Sequence, residues 1–332
     1  MADNASIITT LGLSTEQLAH FDQFGYVIKP GVYAAGDLSP LRASLDHLVG
    51  DHAERLAADG QIDNTFAGEG FERRLARIWE HYPAAGEAIE EALGSGRYHG
   101  APMLAMIRHQ PLLACIRDLV GETIIGSAVY RIRPKAPAAP RGAVPWHQDS
   151  GYLLAHCDRF LIVTCWIPLV DATVENGCLY VIPGAHRQGV LRHYTEGTND
   201  YLEVAEEELP DREPVPVEMS AGDVLFMTNL TPHASFANRS DVVRWSVDLR
   251  YQGNRPPNNV HEEPESYVPE REPITMACYP PEADFVISDP SAPEREVVTG
   301  ERFEQIRARY DDADVYTPGR GWVSMTTRKP SR

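Results

Sequence analysis

The spacing of apolar residues changes once along the chain, at about residue 124. Before that point apolar side chains recur mostly every three or four positions, which is typical of helices packed on one face. A cap-like Ser14 opens the first predicted helix, and a short strand at 25–28 ends before Pro30. Further helices are predicted over residues 37–57, 71–94 and 102–121. Residues 1–122 are therefore predicted to form a mostly helical support.

After residue 124 the helical spacing gives way to short runs that are rich in β-branched and aromatic residues. Turn sequences such as Asn176-Gly177 and Pro183-Gly184 separate these runs. Several short strands at this spacing favour an antiparallel sandwich or barrel. The predicted strands lie at 124–132, 160–169, 178–182, 215–219, 224–227 and 242–251.

Two segments interrupt or follow this β-rich region. Residues 187–214 are acidic and too long for a hairpin loop, so they are a candidate lid. Residues 256–332 form a C-terminal extension rich in Pro and Glu, with one predicted helix at 300–310. We expect a single domain over 1–332, with the β core at 123–255.

The charge balance excludes some partners. The chain has 30 basic and 48 acidic residues, a formal net charge of −18, so nucleic acid and anionic membranes are poor partners. No run of 18 apolar residues is present, and the first residues do not resemble a secretory signal. Five scattered cysteines are expected to be reduced thiols in a cytoplasmic protein.

The sequence holds three His-x-Asp pairs. Such a pair can supply two metal ligands when it lies on a strand, because residues two apart on a strand point to the same face. The pair at 20–22 lies in a predicted helix, where positions i and i+2 face different sides. The pair at 147–149 lies in a short extended segment, and the pair at 156–158 lies just before a predicted strand. The spacing alone does not distinguish between these last two pairs.

A third ligand and a candidate anion clamp lie further along the chain. An iron site that reacts with oxygen needs a third ligand from a distant segment and several open positions. His233 is the best candidate, because it follows the predicted strand at 224–227. An arginine and a serine on the inner face of the next strand suggest a clamp for a carboxylate. The polar face of that strand carries Arg244, Ser246, Asp248 and Arg250.

In this order, the motifs resemble the phytanoyl-CoA dioxygenase (PhyH) family. They are His147-Gln148-Asp149, Trp166, the run from Asn176 to Arg187, His233, and Arg244 eleven residues later. The resemblance covers roughly residues 15–255 and is strongest from 144 to 251. It implies a mainly β fold in which N-terminal helices flank a double-stranded β-helix, the jelly-roll or cupin-like core.

The resemblance also implies the chemistry. It indicates a non-haem iron(II), 2-oxoglutarate-dependent dioxygenase that uses O2 to hydroxylate or otherwise oxidise a small molecule. His147, Asp149 and His233 would hold Fe(II). The implied 2-oxoglutarate contacts are Arg244 and Ser246 on the distal carboxylate, with Gln148 and Trp166 nearby.

Two other classes of function are open. A non-catalytic, cupin-like metal-binding protein would keep the metal ligands without needing Arg244 and Ser246. A zinc hydrolase on a β scaffold would use two histidines and a carboxylate to activate water. Neither alternative explains the candidate clamp.

The charges near the site bear on the substrate. We expect a discrete polar small molecule, such as a biosynthetic intermediate, because the acidic candidate lid would repel the phosphates of an acyl-CoA. Arg131 and Arg133 share one strand face and could meet a single anionic group. We also expect oxidation without halogenation, since related halogenases lack the carboxylate ligand that Asp149 supplies.

Overall fold

The structure is a computed structural model of the 332-residue chain. It describes residues 11–94, 100–127, 130–137, 139, 142–261, 283–308 and 320–328. Cys278 lies outside the described residues. The four cysteines within them are buried and free, at positions 115, 157, 165 and 178.

Helices dominate the N-terminal third, as predicted. Ser14 caps the first of them through a capping box with Gln17. The described helices are α1 Thr15–Phe24, α2 Ala35–Ala58, α3 Arg74–His81, α4 Pro83–Gly94, α5 Ala101–Ile107, α6 Gln110–Val120 and α7 Gly300–Arg307.

Two of the predicted long helices are in fact pairs of helices. The prediction at 71–94 breaks at Tyr82, because the residue before a proline is disfavoured in the helical region. The prediction at 102–121 breaks at Arg108 and His109, and Pro111 lies in the first turn of α6, where its missing N–H costs nothing. Both breaks therefore follow from prolines in the sequence.

The rest of the described chain is largely β structure. The strands are β1 Tyr26–Lys29, β2 Ile124–Gly126, β3 Arg131–Lys135, β4 Val144–His147, β5 Ile162–Pro168, β6 Leu179–Val181, β7 Tyr194–Thr195, β8 Val215–Val217, β9 Val224–Thr228, β10 His233–Ser235, β11 Arg244–Gln252, β12 Phe285–Ser288 and β13 Val323–Ser324. The single strand predicted at 124–132 is two strands, β2 and β3, which pair with opposite ends of β11. The predicted helix at 300–310 is present as α7, which ends at Arg307, and residues 309–310 lie outside the described residues.

Two antiparallel sheets form the β core. The larger sheet has the order β1-β9-β5-β11-β2-β12, with β3 also paired to β11, and the smaller has the order β4-β10-β6-β8. Between them lies an apolar cluster that includes Trp166 and Leu225 of the larger sheet and Val181 of the smaller. The prediction of a mainly β fold with helical support is confirmed.

Strand β11 separates the helical layer from the space between the sheets. Its apolar side chains, among them Trp245 and Tyr251, pack into the core that contains the helices. Trp245 donates a hydrogen bond to the Phe71 carbonyl, and Tyr251 donates one to the Ile107 carbonyl. Because side chains alternate along a strand, the polar residues of β11 face the other sheet.

The C-terminal extension contributes to the fold. Strand β12 pairs with β2 at the edge of the larger sheet, and β13 pairs with β7 of the candidate lid. None of the described helices is both long and apolar enough to cross a membrane.

Candidate metal centre and active site

The two predicted histidine ligands are brought together by the pairing of β4 and β10. His147 ends β4 and lies directly opposite His233, the first residue of β10. Their ring centroids are 4.2 Å apart. Asp149 follows in a short 3-10 turn, and one potential ligand atom from each residue lies within 4.8 Å of the others. All three residues are buried, so the structure assembles the predicted triad.

Both imidazole rings are oriented by backbone carbonyls. His147 Nδ1 lies 2.8 Å from the Pro145 carbonyl, and His233 Nδ1 lies 3.0 Å from the Thr231 carbonyl. A ring that donates from Nδ1 leaves the lone pair of Nε2 free for a metal. Burial, and then the neighbouring His233, hold the pKa of His147 well below its usual value. His147 is therefore neutral, which is the form that binds a metal.

Asp149 is held by Arg250, a residue to which the sequence analysis gave no role. Arg250 donates to both carboxylate oxygens, with Nη2 2.7 Å from Oδ1 and Nε 3.1 Å from Oδ2. Thr164 donates to Oδ2 as well. Burial alone would raise the pKa of Asp149, but Arg250 outweighs this effect and holds the pKa below the usual range. The carboxylate is thus ionised and fixed in orientation before any metal binds.

The predicted carboxylate clamp lies on the same face of β11. Arg244 is only 1% exposed; its Nη1 donates to Ser246 Oγ, and its guanidinium carbon lies 5.2 Å from the centroid of the Trp166 ring. Burial lowers the pKa of Arg244 to about 10, so the group is still charged at neutral pH. Its Nε is buried and has no hydrogen-bond partner among the described residues. A buried cation with an unused donor fits an anionic ligand such as the distal carboxylate of 2-oxoglutarate.

These groups surround one small cavity, which we call the inner cavity. His147 and His233 lie on its wall, together with Trp166 and Arg244. Two of the three predicted metal ligands and the arginine of the candidate clamp thus line one small space between the two sheets. The rest of the wall includes Arg133, Thr164, Asp248 and Arg250.

Gln148 does not face this cavity, in contrast to the prediction. Its amide nitrogen donates to the carbonyls of Gly189 and Leu230, and its oxygen accepts from the backbone of Leu191. Neighbouring residues in an extended segment point to opposite sides, so Gln148 points away from the cavity when His147 points into it. Its fully buried side chain instead attaches the start of the candidate lid to the metal motif.

The other two His-x-Asp pairs form no such site. His20 and Asp22 lie on helix α1, and Asp158 forms an ion pair with Arg320. Within the described ranges, the group of His147, Asp149 and His233 is the one that could hold a metal ion.

Comparison with known proteins identifies the family. The family model described as phytanoyl-CoA dioxygenase (PhyH) matches residues 21–246, which is more than half of the chain. The chain belongs to the PhyH family. Its enzymes are non-haem iron and 2-oxoglutarate-dependent oxygenases, so the resemblance seen in the sequence is confirmed.

Individual relatives are distant. Phytanoyl-CoA dioxygenase domain-containing protein 1 of Danio rerio is 24% identical, over 70% of this chain and 87% of the relative. A methylphosphonate hydroxylase of Gimesia maris is 27% identical, over 72% of this chain and 80% of the relative. Among solved structures, the nickel complex of the non-haem monooxygenase ThoJ is similar, with a TM-score of 0.51 and 15% identity over 89% of this chain and 97% of that chain. This last likeness concerns the fold, and the jelly-roll class predicted from the sequence is confirmed.

A second cavity of about 210 Å³ adjoins the inner one, and we call it the outer cavity. Arg133, Val144 and Arg244 lie on the walls of both. Tyr201 of the candidate lid and residues of α3 and α4 complete the outer wall. The PhyH fold thus offers this chain one space at the metal triad and a larger space beside it.

Two buried titratable groups with shifted pKa values also lie at the outer cavity. Burial lowers the pKa of Lys135 to about 6, and its Nζ donates to Ser235 Oγ and the Phe236 carbonyl. On the opposite wall, burial raises the pKa of Glu90 to about 7. Sequence reasoning missed both shifts, because they depend on the packing of α4 against β3.

Proposed function

We propose that this PhyH protein is an iron(II) and 2-oxoglutarate-dependent dioxygenase in which His147, Asp149 and His233 hold the metal. The observation that carries the proposal is the inner cavity, because His147 and His233 of the triad line it together with Arg244, whose buried Nε has no partner among the described residues. A cupin-like metal-binding protein or a zinc hydrolase would have no use for a buried guanidinium with an unused donor on the same cavity wall as the two histidines.

The residues of the chain position the reactants. The imidazoles of His147 and His233 and the carboxylate of Asp149 would hold the iron, a ligand set that is typical of iron oxygenases. The bound iron would supply the oxidising chemistry with 2-oxoglutarate and O2. Arg244 and Ser246 bind the distal carboxylate, and Trp166 packs against the guanidinium. Arg250 keeps the Asp149 carboxylate ionised and fixes its orientation through two hydrogen bonds.

The substrate is a discrete polar small molecule that enters through the outer cavity. The candidate lid carries several acidic residues and contributes Tyr201 to the wall, so a CoA group with several phosphates would be repelled there. The name of the Gimesia maris relative, a methylphosphonate hydroxylase, supports a compact substrate. Because Asp149 occupies the carboxylate position, the reaction is oxidation and not halogenation. Buried free cysteines support a cytoplasmic location.

Succinate release tests the proposal. The iron-loaded protein is incubated with 2-oxoglutarate, in air and without oxygen, across a panel of small molecules. We expect oxygen-dependent succinate in the wild type and none after His147→Ala or His233→Ala. Asp158→Asn is the matched control, since Asp158 belongs to a His-x-Asp pair outside the triad. Turnover that needs neither 2-oxoglutarate nor oxygen would favour a hydrolase instead.

A further inference from the structure

Arg133 lies where the two cavities meet. Its side chain is 31% exposed and lies on the walls of both the inner and the outer cavity. In the register of β3 and β11 it faces Ser246, so it projects from the same face as the candidate clamp. A molecule in the outer cavity would meet Arg133 before it reached the metal ligands.

One hydrogen bond orients the guanidinium of Arg133 and leaves its other donors without a protein acceptor among the described residues. Its Nε donates to Asp248 Oδ2 at 2.6 Å, and no other acceptor for this side chain exists among the described residues. The two terminal nitrogens therefore remain available as a fork for an oxyanion. Asp248 is 7% exposed, and its Oδ1 is buried without a partner in the described part of the chain. In a purely structural ion pair, we would expect protein partners for the terminal nitrogens of Arg133 and for Oδ1 of Asp248 as well.

The charge balance of the inner cavity leaves room for one anion. Its wall holds the guanidinium groups of Arg133, Arg244 and Arg250 and the carboxylate of Asp248. Behind the wall, the carboxylate of Asp149 pairs with Arg250 and adds a second negative charge. This is a surplus of one positive charge. A divalent metal and the 2-oxoglutarate dianion would cancel each other, so the surplus would remain. One further negative charge would neutralise the site.

The opposite wall limits how many charges the ligand carries. Glu87, Glu90 and Glu91 of α4 line the outer cavity. Several phosphates in a space of about 210 Å³ would be close to these carboxyl groups and would be repelled. A single oxyanion directed towards Arg133 would avoid that repulsion.

We infer that Arg133, positioned by Asp248, is the substrate-binding residue for one oxyanion group, either a carboxylate or a phosphonate or phosphate ester. This inference rests on the proposed oxygenase function and adds the class of substrate to it. It assigns different anions to two arginines, with the co-substrate at Arg244 and the substrate at Arg133.

Calorimetric titration of the protein loaded with Fe(II) and 2-oxoglutarate, without oxygen, tests the inference. The probes are benzoate, phenylphosphonate and the neutral benzamide. We expect the wild type to bind at least one of the anions about 10- to 100-fold more tightly than benzamide, as for a hydrogen bond to a charged group. Arg133→Gln should lose this preference, and Arg133→Lys should keep part of it, since lysine offers a point charge and no fork. The anion that binds more tightly than benzamide shows whether Arg133 prefers a carboxylate or a phosphonate group.

The matched control is Arg131→Gln, which changes an arginine on the same face of β3 that lines neither cavity. It should keep the preference for the anion. Equal binding of benzoate, phenylphosphonate and benzamide by the wild type would overturn the inference, and so would an unchanged preference in Arg133→Gln. A loss of 2-oxoglutarate affinity in Arg133→Gln would also overturn it, because Arg133 would then belong to the co-substrate clamp. Failure of the proposed function is distinguishable, since the wild type would then not bind 2-oxoglutarate before any probe is added.

Discussion

Replacing Arg244 with alanine should remove most of the stabilisation that 2-oxoglutarate gives to the protein. In the ligand-free chain the guanidinium is buried with its Nε unpaired, so its loss removes an unsatisfied charge as well as a contact to Ser246. In the complex, the same change removes a charge-assisted partner from a desolvated pocket, which typically costs about 2–5 kcal/mol. The effect should therefore be larger with the co-substrate than without it.

The lower end of the range of about 2–5 kcal/mol gives the smallest expected change in the stabilisation by 2-oxoglutarate. A loss of about 2 kcal/mol weakens binding roughly 30-fold. At a co-substrate concentration of about 100 times the wild-type dissociation constant, the wild type gains about 2.7 kcal/mol from binding. A variant with 30-fold weaker affinity gains about 0.9 kcal/mol under the same conditions. The difference corresponds to a few degrees in the midpoint of thermal unfolding.

A thermal shift assay with and without 2-oxoglutarate measures this difference in protein loaded with a divalent metal. Ser246→Ala keeps the guanidinium and should lose less of the shift, and Arg244→Lys should recover part of it. A shift in Arg244→Ala equal to that of the wild type would refute the placement of the co-substrate at Arg244.

Three further predictions concern the surroundings of the site. Arg250→Met should destabilise the metal-free protein by about 3–5 kcal/mol in urea unfolding, because it leaves the buried Asp149 carboxylate without its charged partner. As a control, Arg187→Met at an exposed position should cost less than about 1 kcal/mol. Equal losses of stability in the two variants would contradict the argument. Trp322→Ala should weaken metal binding in a competition titration, but by less than the roughly 10- to 100-fold that is typical of direct partners of metal ligands. Trp322 acts indirectly, because it donates to the Gly151 carbonyl and packs on His193, which accepts from the backbone N–H of Gln148. Val323→Ala is the control, and unchanged metal binding in Trp322→Ala would contradict this role. Burial lowers the pKa of Lys135 to about 6, so above that pH the unfolded chain binds a proton that the folded chain lacks. The stability gained by Lys135→Met should therefore be largest near pH 6 and shrink towards pH 10. A gain that is constant with pH would contradict the pKa shift.

The triad and the clamp could be predicted because their order along the chain is distinctive. His147, Asp149, His233 and Arg244 come from three segments, and no single one of them is informative alone. The position of Gln148 could also have been predicted, since it alternates with two residues that must face the metal. The helix breaks before Pro83 and around Pro111 were likewise visible in the sequence.

Other features depend on pairings that the sequence does not reveal. The pair of Arg250 and Asp149 joins residues 101 positions apart and follows from the way β11, β5 and the metal motif meet. Trp322 reaches the metal motif from the C-terminal extension, where the sequence carries no recognisable pattern. The shifts at Lys135 and Glu90 require the packing of α4 against β3, which hydrophobic spacing does not specify.

The alternation of β11 gives the N-terminal helices a role in the chemistry, although they supply no metal ligand. Arg244, Ser246, Asp248 and Arg250 face the smaller sheet only while the intervening apolar residues face the helical layer. A shift of one residue in register would turn all four polar side chains towards the apolar core. Trp245, which packs against Phe71 and donates to its carbonyl, opposes such a shift, and Tyr251, bonded to Ile107, does the same at the other end of the strand. The helical layer thereby holds the clamp, the substrate arginine and the partner of Asp149 in one alignment.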